Sequence, residues 1–294
     1  MAILSFWSNT KNETGQTLSI VAIATYMSIE RNFRTLVIDA TFNDDTLERC
    51  FWKVGKEKND IRATLTKGKL DIATGTRGLM NAIASNKTTP EIIANYARVV
   101  FNKRLDILVG VKNQTPEEYM RNFKLYMDLI SAADKYYDLV IIDLPKTKKI
   151  DGMTEILSKS DIIAYTMKQN LRQIDYFRDN QKEIGNLTKN VVPFLGNVDL
   201  NCKYNPKNVA SYLKAKKIGY VIYNNTFLEA ASESHVADYF LKTRLNKKNY
   251  DQNTNFFNVL DETSKKIVQK FEEIKYGRMS RSWNREEPFK WMLL

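Results

Sequence analysis

The sequence predicts an α/β fold, a three-layer sandwich in which a mostly parallel, twisted sheet is flanked by helices. Three observations predict it. Short apolar, β-branched runs alternate with segments of helical periodicity along most of the chain. Two of these runs, Leu36-Val37-Ile38 and Val140-Ile141-Ile142, end in an aspartate, Asp39 and Asp143. The first run, Ala2 to Trp7, leads through a polar, glycine-containing stretch straight into a helical pattern. A strand, a turn and a helix N-terminus in that order aim backbone N–H groups and the helix dipole at an anion.

Each element has a reason. Leu18, Val21, Ala22, Thr25 and Ile29 recur at three- and four-residue spacings and predict a helix over 17–29. Glu30 to Arg34 is the turn back. Leu36-Val37-Ile38 is apolar throughout, as a strand covered on both faces must be. Thr41, Asn43, Asp44 and Asp45 crowd after Asp39. Ligands of open α/β sheets sit outside the carboxyl ends of strands, which makes Asp39 a candidate site residue. Asp60 to Leu65 and Gly78 to Ile83 read as short amphipathic helices. Thr88-Thr89-Pro90-Glu91 has the form of a helix start, for a helix running to about Val100. Leu105 to Gly110 is the next strand. Thr115-Pro116-Glu117-Glu118 opens a helix continuing through Tyr126 and Ile130.

Tyr137 to Pro145 holds an apolar strand ending in Asp143. Three further strands are expected at Asp161–Met167, Val191–Asn197 and Gly219–Asn224, with helical spans at about 171–185 and 206–215. Phe227 to Leu241 and Asn255 to Tyr276 read as closing helices. The alternation argues for right-handed crossovers. Residues 1–276 form the predicted domain, with Asn246 to Asn253 as the only candidate linker. Residues 277–294 form a basic, aromatic C-terminal tail, Gly277-Arg278-Met279 through Trp291-Met292-Leu293-Leu294.

Composition narrows the function. A chain of 294 residues is at the upper end of one α/β domain or makes two small ones, and 43% hydrophobic with 27% charged residues is ordinary for a soluble globular protein. No apolar run is long enough for a membrane span, and no signal peptide is expected. Two cysteines, Cys50 and Cys202, give neither a disulfide framework nor a metal spacing. The single histidine, His235, argues against histidine-based zinc or acid–base chemistry and reads as a helix-surface or packed residue. A reducing, cytoplasmic setting is expected. The net charge of +11, from 45 Lys+Arg against 34 Asp+Glu, suits contact with nucleic acid or an anionic membrane. It suits equally a chain simply rich in lysine.

The loop Ser8-Asn9-Thr10-Lys11-Asn12-Glu13-Thr14-Gly15-Gln16-Thr17 resembles the deviant Walker A motif of the ParA/MinD family of P-loop proteins, through Lys11, Gly15 and Thr17. The spacing to Asp39 and Asp143 is similar to the family's, and the order of features resembles it from Ile3 to about Leu241. The resemblance implies ATP and Mg²⁺ as ligands. Lys11 is then the signature lysine, reaching a partner's nucleotide across a homodimer. Thr17 and Asp143 hold Mg²⁺, Asp143 through water as the Walker B acid. Lys11, Gly15, Gln16, Thr17 and Leu18 line the nucleotide, and Asn197 contacts the base. Lys11, Asp39 and Asp143 carry the catalytic roles. The alternatives are a solvated Lys11 on a relic loop and strand-end carboxylates that cap nearby N–H groups.

The departures from the motif bear on activity. Two loop glycines are Asn12 and Glu13, and the lysine that reaches the β- and γ-phosphates is Gln16. The second acid of the family's D-x-D pattern is Thr41. Phosphoryl transfer depends on positioning and charge stabilisation, so losing a loop cation weakens it. Glu13 adds a like charge near the phosphates, worth about 4 kcal/mol at 4 Å and an effective dielectric of 20. Weak or absent ATP hydrolysis follows.

Within the family, Leu105 to Tyr119 resembles a segment of the TadZ/CpaE branch. That resemblance implies a dimeric positioning factor for a Flp/Tad pilus or secretion apparatus, cytoplasmic and placed at a cell pole. The alternative is a partitioning ATPase that binds DNA non-specifically. A further reading is peripheral membrane contact through Trp283 to Leu294.

Overall fold

The computed structural model describes residues 2–10, 14–54, 75–85, 92–133, 136–147, 150–185, 190–245 and 251–283, with the backbone alone from 277. The chain begins with β1 (Ala2–Trp7), α1 (Gln16–Glu30), β2 (Thr35–Asp39) and a short α2 (Thr46–Arg49). It continues through α3 (Gly75–Ala84), α4 (Ile92–Tyr96), β3 (Arg98–Phe101) and β4 (Leu105–Leu108). Next come α5 (Pro116–Asn122), α6 (Leu125–Ala133), β5 (Leu139–Asp143) and α7 (Met153–Lys159). Then follow β6 (Ile162–Met167), α8 (Leu171–Asp179), α9 (Gln181–Gly185), β7 (Val191–Val198) and α10 (Pro206–Tyr212). The last elements are β8 (Gly219–Ile222), α11 (Asn225–Ser232), α12 (Val236–Leu245) and the long α13 (Gln252–Trp283).

The eight strands form one sheet in the order β3-β4-β2-β5-β1-β6-β7-β8. Every pairing is parallel except that of β3 with β4. This is the predicted α/β architecture. The central strands β1, β2 and β5 are buried almost end to end, which is why they read as continuous apolar runs. Helices flank the sheet in two groups, α1 with α2, α12 and α13, and α3 with α4, α6 and α7. Phe6, Trp7, Ile20, Ile23, Met27, Leu36 and Tyr126 are among the largest fully buried side chains. Tyr26 Oη donates to Asp261 Oδ1 at 3.0 Å, and Arg31 pairs with the same carboxylate, so α1 and α13 are tied where their apolar faces meet.

Several boundaries differ from expectation. The helix expected to reach Val100 ends at Tyr96, and Arg98–Phe101 is an antiparallel edge strand. Its hairpin closes through Arg104 N–H to Phe101 O at 2.9 Å, with Lys103 at φ 58°. A lysine carries the left-handed turn position, so no glycine signalled the hairpin. The helix expected over 115–130 breaks at Phe123-Lys124, and that over 171–185 breaks at Asn180. The span 227–241 breaks at Ser234 (φ 66°), and 206–215 stops at Tyr212 before Lys214 (φ 51°). Helices α2 and α7 were not anticipated. The predicted start at Thr115 holds as a full capping box with Glu118. The last helix runs from 252 to 283, across the expected 276/277 boundary. Asp60 to Leu65, the Thr88–Glu91 start, 246–250 of the candidate linker and 284–294 of the tail lie outside the described residues.

Candidate nucleotide-binding site

The site is built where β1, β5 and β2 end. Trp7 is buried at the end of β1, and its ring stacks edge-on against Tyr165 at 5.4 Å. The chain then turns. Ser8 Oγ and Thr10 Oγ1 lie 3.0 Å apart, and Asn9 Nδ2 donates to Tyr176 Oη on α8 at 2.6 Å. Lys11, Asn12 and Glu13 lie outside the described residues, so the expected role of Lys11 carries forward as a proposal.

Gly15 is the N-cap of α1 at φ 71° and supplies no side-chain cap. The first-turn N–H groups, on Gly15, Gln16, Thr17 and Leu18, therefore lack an intrahelical acceptor, as at any helix start. Gly15 serves a second purpose. A Cβ there would lie 3.2 Å from the Gly196 carbonyl carbon and 3.3 Å from Asn197 Cβ. A Cβ on Gly196 would lie 2.2 Å from the Thr14 carbonyl oxygen. The loop thus returns hard against β7. Asn197 is exposed, at φ 56°, in the irregularity of the β7–β8 pairing between Leu195 and Val198. Sequence reasoning missed Gly196, although a glycine inside an apolar strand signals a close backbone approach.

Gln16 does not face the loop. Its side chain is buried and turned into the sheet, where Nε2 donates to Asp143 Oδ1 at 2.7 Å and to the Leu144 carbonyl at 2.8 Å. Both neighbours only accept, which fixes the amide's orientation. Its Oε1 is buried without a partner among the described residues. Thr17 Oγ1 donates to the other carboxylate oxygen, Asp143 Oδ2, at 2.7 Å.

Asp39 and Asp143 are Cα partners in register on the adjacent strands β2 and β5, and both are buried. Burial pushes the Asp39 carboxyl up, the charge of Asp143 adds to this, and two bonds from Thr41 oppose it. Burial also pushes Asp143 up, against the bonds from Gln16 and Thr17. Thr41 N–H and Oγ1 donate to Asp39 Oδ1 at 3.0 and 2.6 Å. The hydroxyl at the second position of the D-x-D pattern is therefore spent on the first acid. Gly110 passes over the other side, where a Cβ would meet Asp39 Oδ2 at 3.0 Å.

The loop after β2 is held by residues that the sequence did not place at the site. Tyr119 Oη donates to Ala40 O at 2.6 Å and Tyr126 Oη to Asp39 O at 3.2 Å. Asn43 and Gln114 exchange two bonds, at 2.8 and 3.0 Å. The fold thus gathers Gly15, Gln16, Thr17, Asp143 and Asn197 around the start of α1, with Leu18 in its first turn and Asp39 one strand away. The first-turn N–H groups suit an anion. Each Asp143 oxygen accepts one protein donor and keeps a further lone pair, and the Thr17 hydroxyl oxygen keeps its own, so Asp143 and Thr17 could hold Mg²⁺. His235 sits half exposed near Glu233, away from this cluster in the sequence and on the start of α12.

Neither a protein-family model nor a curated protein sequence matches the chain. Solved structures do match. A ParA family ATPase from Chlorobium tepidum TLS superposes with a TM-score of 0.62 at 14% identity, covering 89% of this chain and 98% of its own. The septum site-determining protein MinD of Pyrococcus horikoshii OT3, complexed with Mg-ADP, gives 0.62 at 12% identity, covering 92% and 99%. A plasmid partition protein of Borrelia burgdorferi B31 bound to AMPPNP gives 0.58 at 15% identity, covering 92% and 98%. The fold is that of the ParA/MinD ATPases. At these identities the likeness is one of fold alone.

Proposed function

We propose that the chain is a nucleotide-binding positioning factor of the ParA/MinD type that hydrolyses ATP weakly or not at all. The observation that carries this reading is the placement of Gln16. At the residue where the family's loop lysine meets the phosphates, this chain has an uncharged amide, bonded to Asp143 and Leu144 rather than turned to the loop. Phosphoryl transfer relies on cations placed around the transferring group, and that position supplies none. Thr41, bonded to Asp39, is not set to orient water. The two similar structures with bound nucleotide, MinD with Mg-ADP and the partition protein with AMPPNP, support a nucleotide as the ligand.

A homodimer that forms through this face fits the reading, with Lys11 reaching across it. The likeness of Leu105 to Tyr119 to the TadZ/CpaE branch supports a place at a pilus or secretion apparatus. Phosphate release measured on the full chain and on Gln16→Lys tests the enzymology. Turnover near background in wild type, raised in the variant, is expected. Wild-type turnover of one per second or faster would overturn it. A fluorescent fusion tests positioning: a polar focus is expected, and a uniform distribution would remove that role. ATP-dependent spreading over the nucleoid would instead favour DNA partitioning.

A further inference from the structure

We infer that Lys146, in the loop that leaves β5, supplies the phosphate-binding cation that the motif lacks at Gln16. The inference rests on the nucleotide reading above and adds to it a residue outside the motif.

The loop leaves the sheet at the edge where α1 begins. Asp143 ends β5, and Lys146 follows it by three residues. Two buried side chains pin the loop at its ends. Gln16 Nε2 donates to the Leu144 carbonyl at 2.8 Å, and Trp7 Nε1 donates to the Thr147 carbonyl at 3.4 Å. Between them the Thr147 N–H donates to the Pro145 carbonyl at 2.8 Å, which closes a three-residue turn with Lys146 at its centre. The ring of Pro145 fixes its own φ, so the turn starts from a stiff residue. The amide that stands in place of the loop lysine thus holds the segment that carries another lysine.

The charge of Lys146 is uncommitted. The side chain is half-buried, and among the described residues no carboxylate pairs with its ammonium. Lys112, by contrast, is committed to Glu48, as is Arg98. Lys146 acts on the end of β5 all the same: burial pushes the Asp143 carboxyl up, the bonds from Gln16 and Thr17 pull it down, and the Lys146 charge pulls it down further.

A nucleotide here needs such a charge. The buried carboxylates of Asp39 and Asp143 lie side by side at this edge and repel phosphate oxygens. The first-turn N–H groups of α1 answer with partial charges only. A lysine ammonium is a compact charge on a flexible four-carbon stem, able to turn from the strand end toward a phosphate seated on that helix start.

The test is calorimetric titration of the full chain with ATP in millimolar MgCl₂, on wild type, Lys146→Met and Lys146→Arg, with thermal melts taken without nucleotide. Methionine keeps most of the apolar stem and removes the charge; arginine keeps the charge. Lys146→Met is expected to weaken ATP binding tenfold or more with its melt unchanged, and Lys146→Arg to bind within threefold of wild type. A weakening of less than tenfold in Lys146→Met would overturn the inference, and so would an equal weakening in Lys146→Arg, which would make the effect one of shape. Both results leave the nucleotide reading standing. No ATP binding by wild type would overturn both. Should Lys146→Met lower the melt, Lys146→Gln repeats the charge loss with a polar side chain and is judged by the same thresholds.

Discussion

Gln16 and Asp143, 127 residues apart in the chain, are joined by a 2.7 Å hydrogen bond that closes the start of α1 onto the end of β5. The bond joins the phosphate-type loop to the sheet's central acid with no ion pair at all. It also makes Gln16 a stability residue, although its place in the motif suggests a purely functional one.

Gln16→Met is therefore expected to destabilise the chain. It leaves Asp143 Oδ1 and the Leu144 carbonyl without the donor they share, in a region closed to solvent. Stranding a buried polar group costs about 1–3 kcal/mol. For a domain of this size each kcal/mol corresponds to about 2–4 °C, so the melting temperature should fall by several degrees. An unchanged melt would show that the amide bonds are replaced by water.

The carboxylate pair predicts a pH dependence. Burial and the neighbouring charge raise the Asp39 carboxyl above its ordinary range, so the folded chain holds that proton more tightly than the unfolded one. The stabilisation this provides is complete below the unfolded value, about pH 4, and is lost as the pH rises through the raised folded value. Asp39→Asn keeps an acceptor for Thr41 and removes the charge. In EDTA it should raise the melting temperature at pH 8, by a difference on the order of 2 kcal/mol, and the gain should shrink toward pH 5. A gain that grows as the pH falls would reverse the assigned direction.

How much of this was legible in the sequence depended on distance along the chain. Leu36-Val37-Ile38-Asp39 and Val140-Ile141-Ile142-Asp143 announced buried strands with acids at their ends, because a strand covered on both faces leaves an uninterrupted apolar run. Thr115-Pro116-Glu117-Glu118 announced a helix start, and the capping box that makes it has all its partners within four residues. The β3 hairpin was hidden because Lys103 holds its left-handed position, and the break between α11 and α12 because Ser234 does. The direction of Gln16 could not be read locally. Whether that side chain faces a phosphate or the sheet is decided by acceptors 127 and 128 residues away.

Two glycines give opposite expectations for the same substitution. At Gly196 a Cβ would press on the Thr14 carbonyl at 2.2 Å, a backbone atom with little room to move. Overpacking of this kind costs about 1–3 kcal/mol, and Gly196→Ala should also weaken nucleotide binding by displacing the loop. At Gly185, the last residue of α9, a Cβ meets nothing within 4 Å among the described residues. Gly185→Ala should stabilise by about 0.5–1 kcal/mol through the unfolded chain and leave binding alone. Denaturant midpoints with nucleotide titrations check both; a harmless Gly196→Ala would mean that the loop stands off β7.

The two cysteines should differ in chemistry as sharply as they do in place. Cys50 follows α2 with 1% of its surface exposed, and its Sγ lies 3.2 Å from the Thr46 carbonyl. Burial, with Asp44 adding to it, pushes its thiol up to about 12. The thiolate is the reactive form, so Cys50 is both shielded and protonated at pH 8. Cys202 is partly exposed in the turn after β7. Iodoacetamide at pH 8 should therefore label the native chain once, at Cys202, and label it twice in denaturant, with the sites read by peptide mass. Rapid native labelling of Cys50 would mean that α2 and the loop after β2 open together, and that the bonds from Tyr119, Tyr126 and Gln114 do not hold that loop shut.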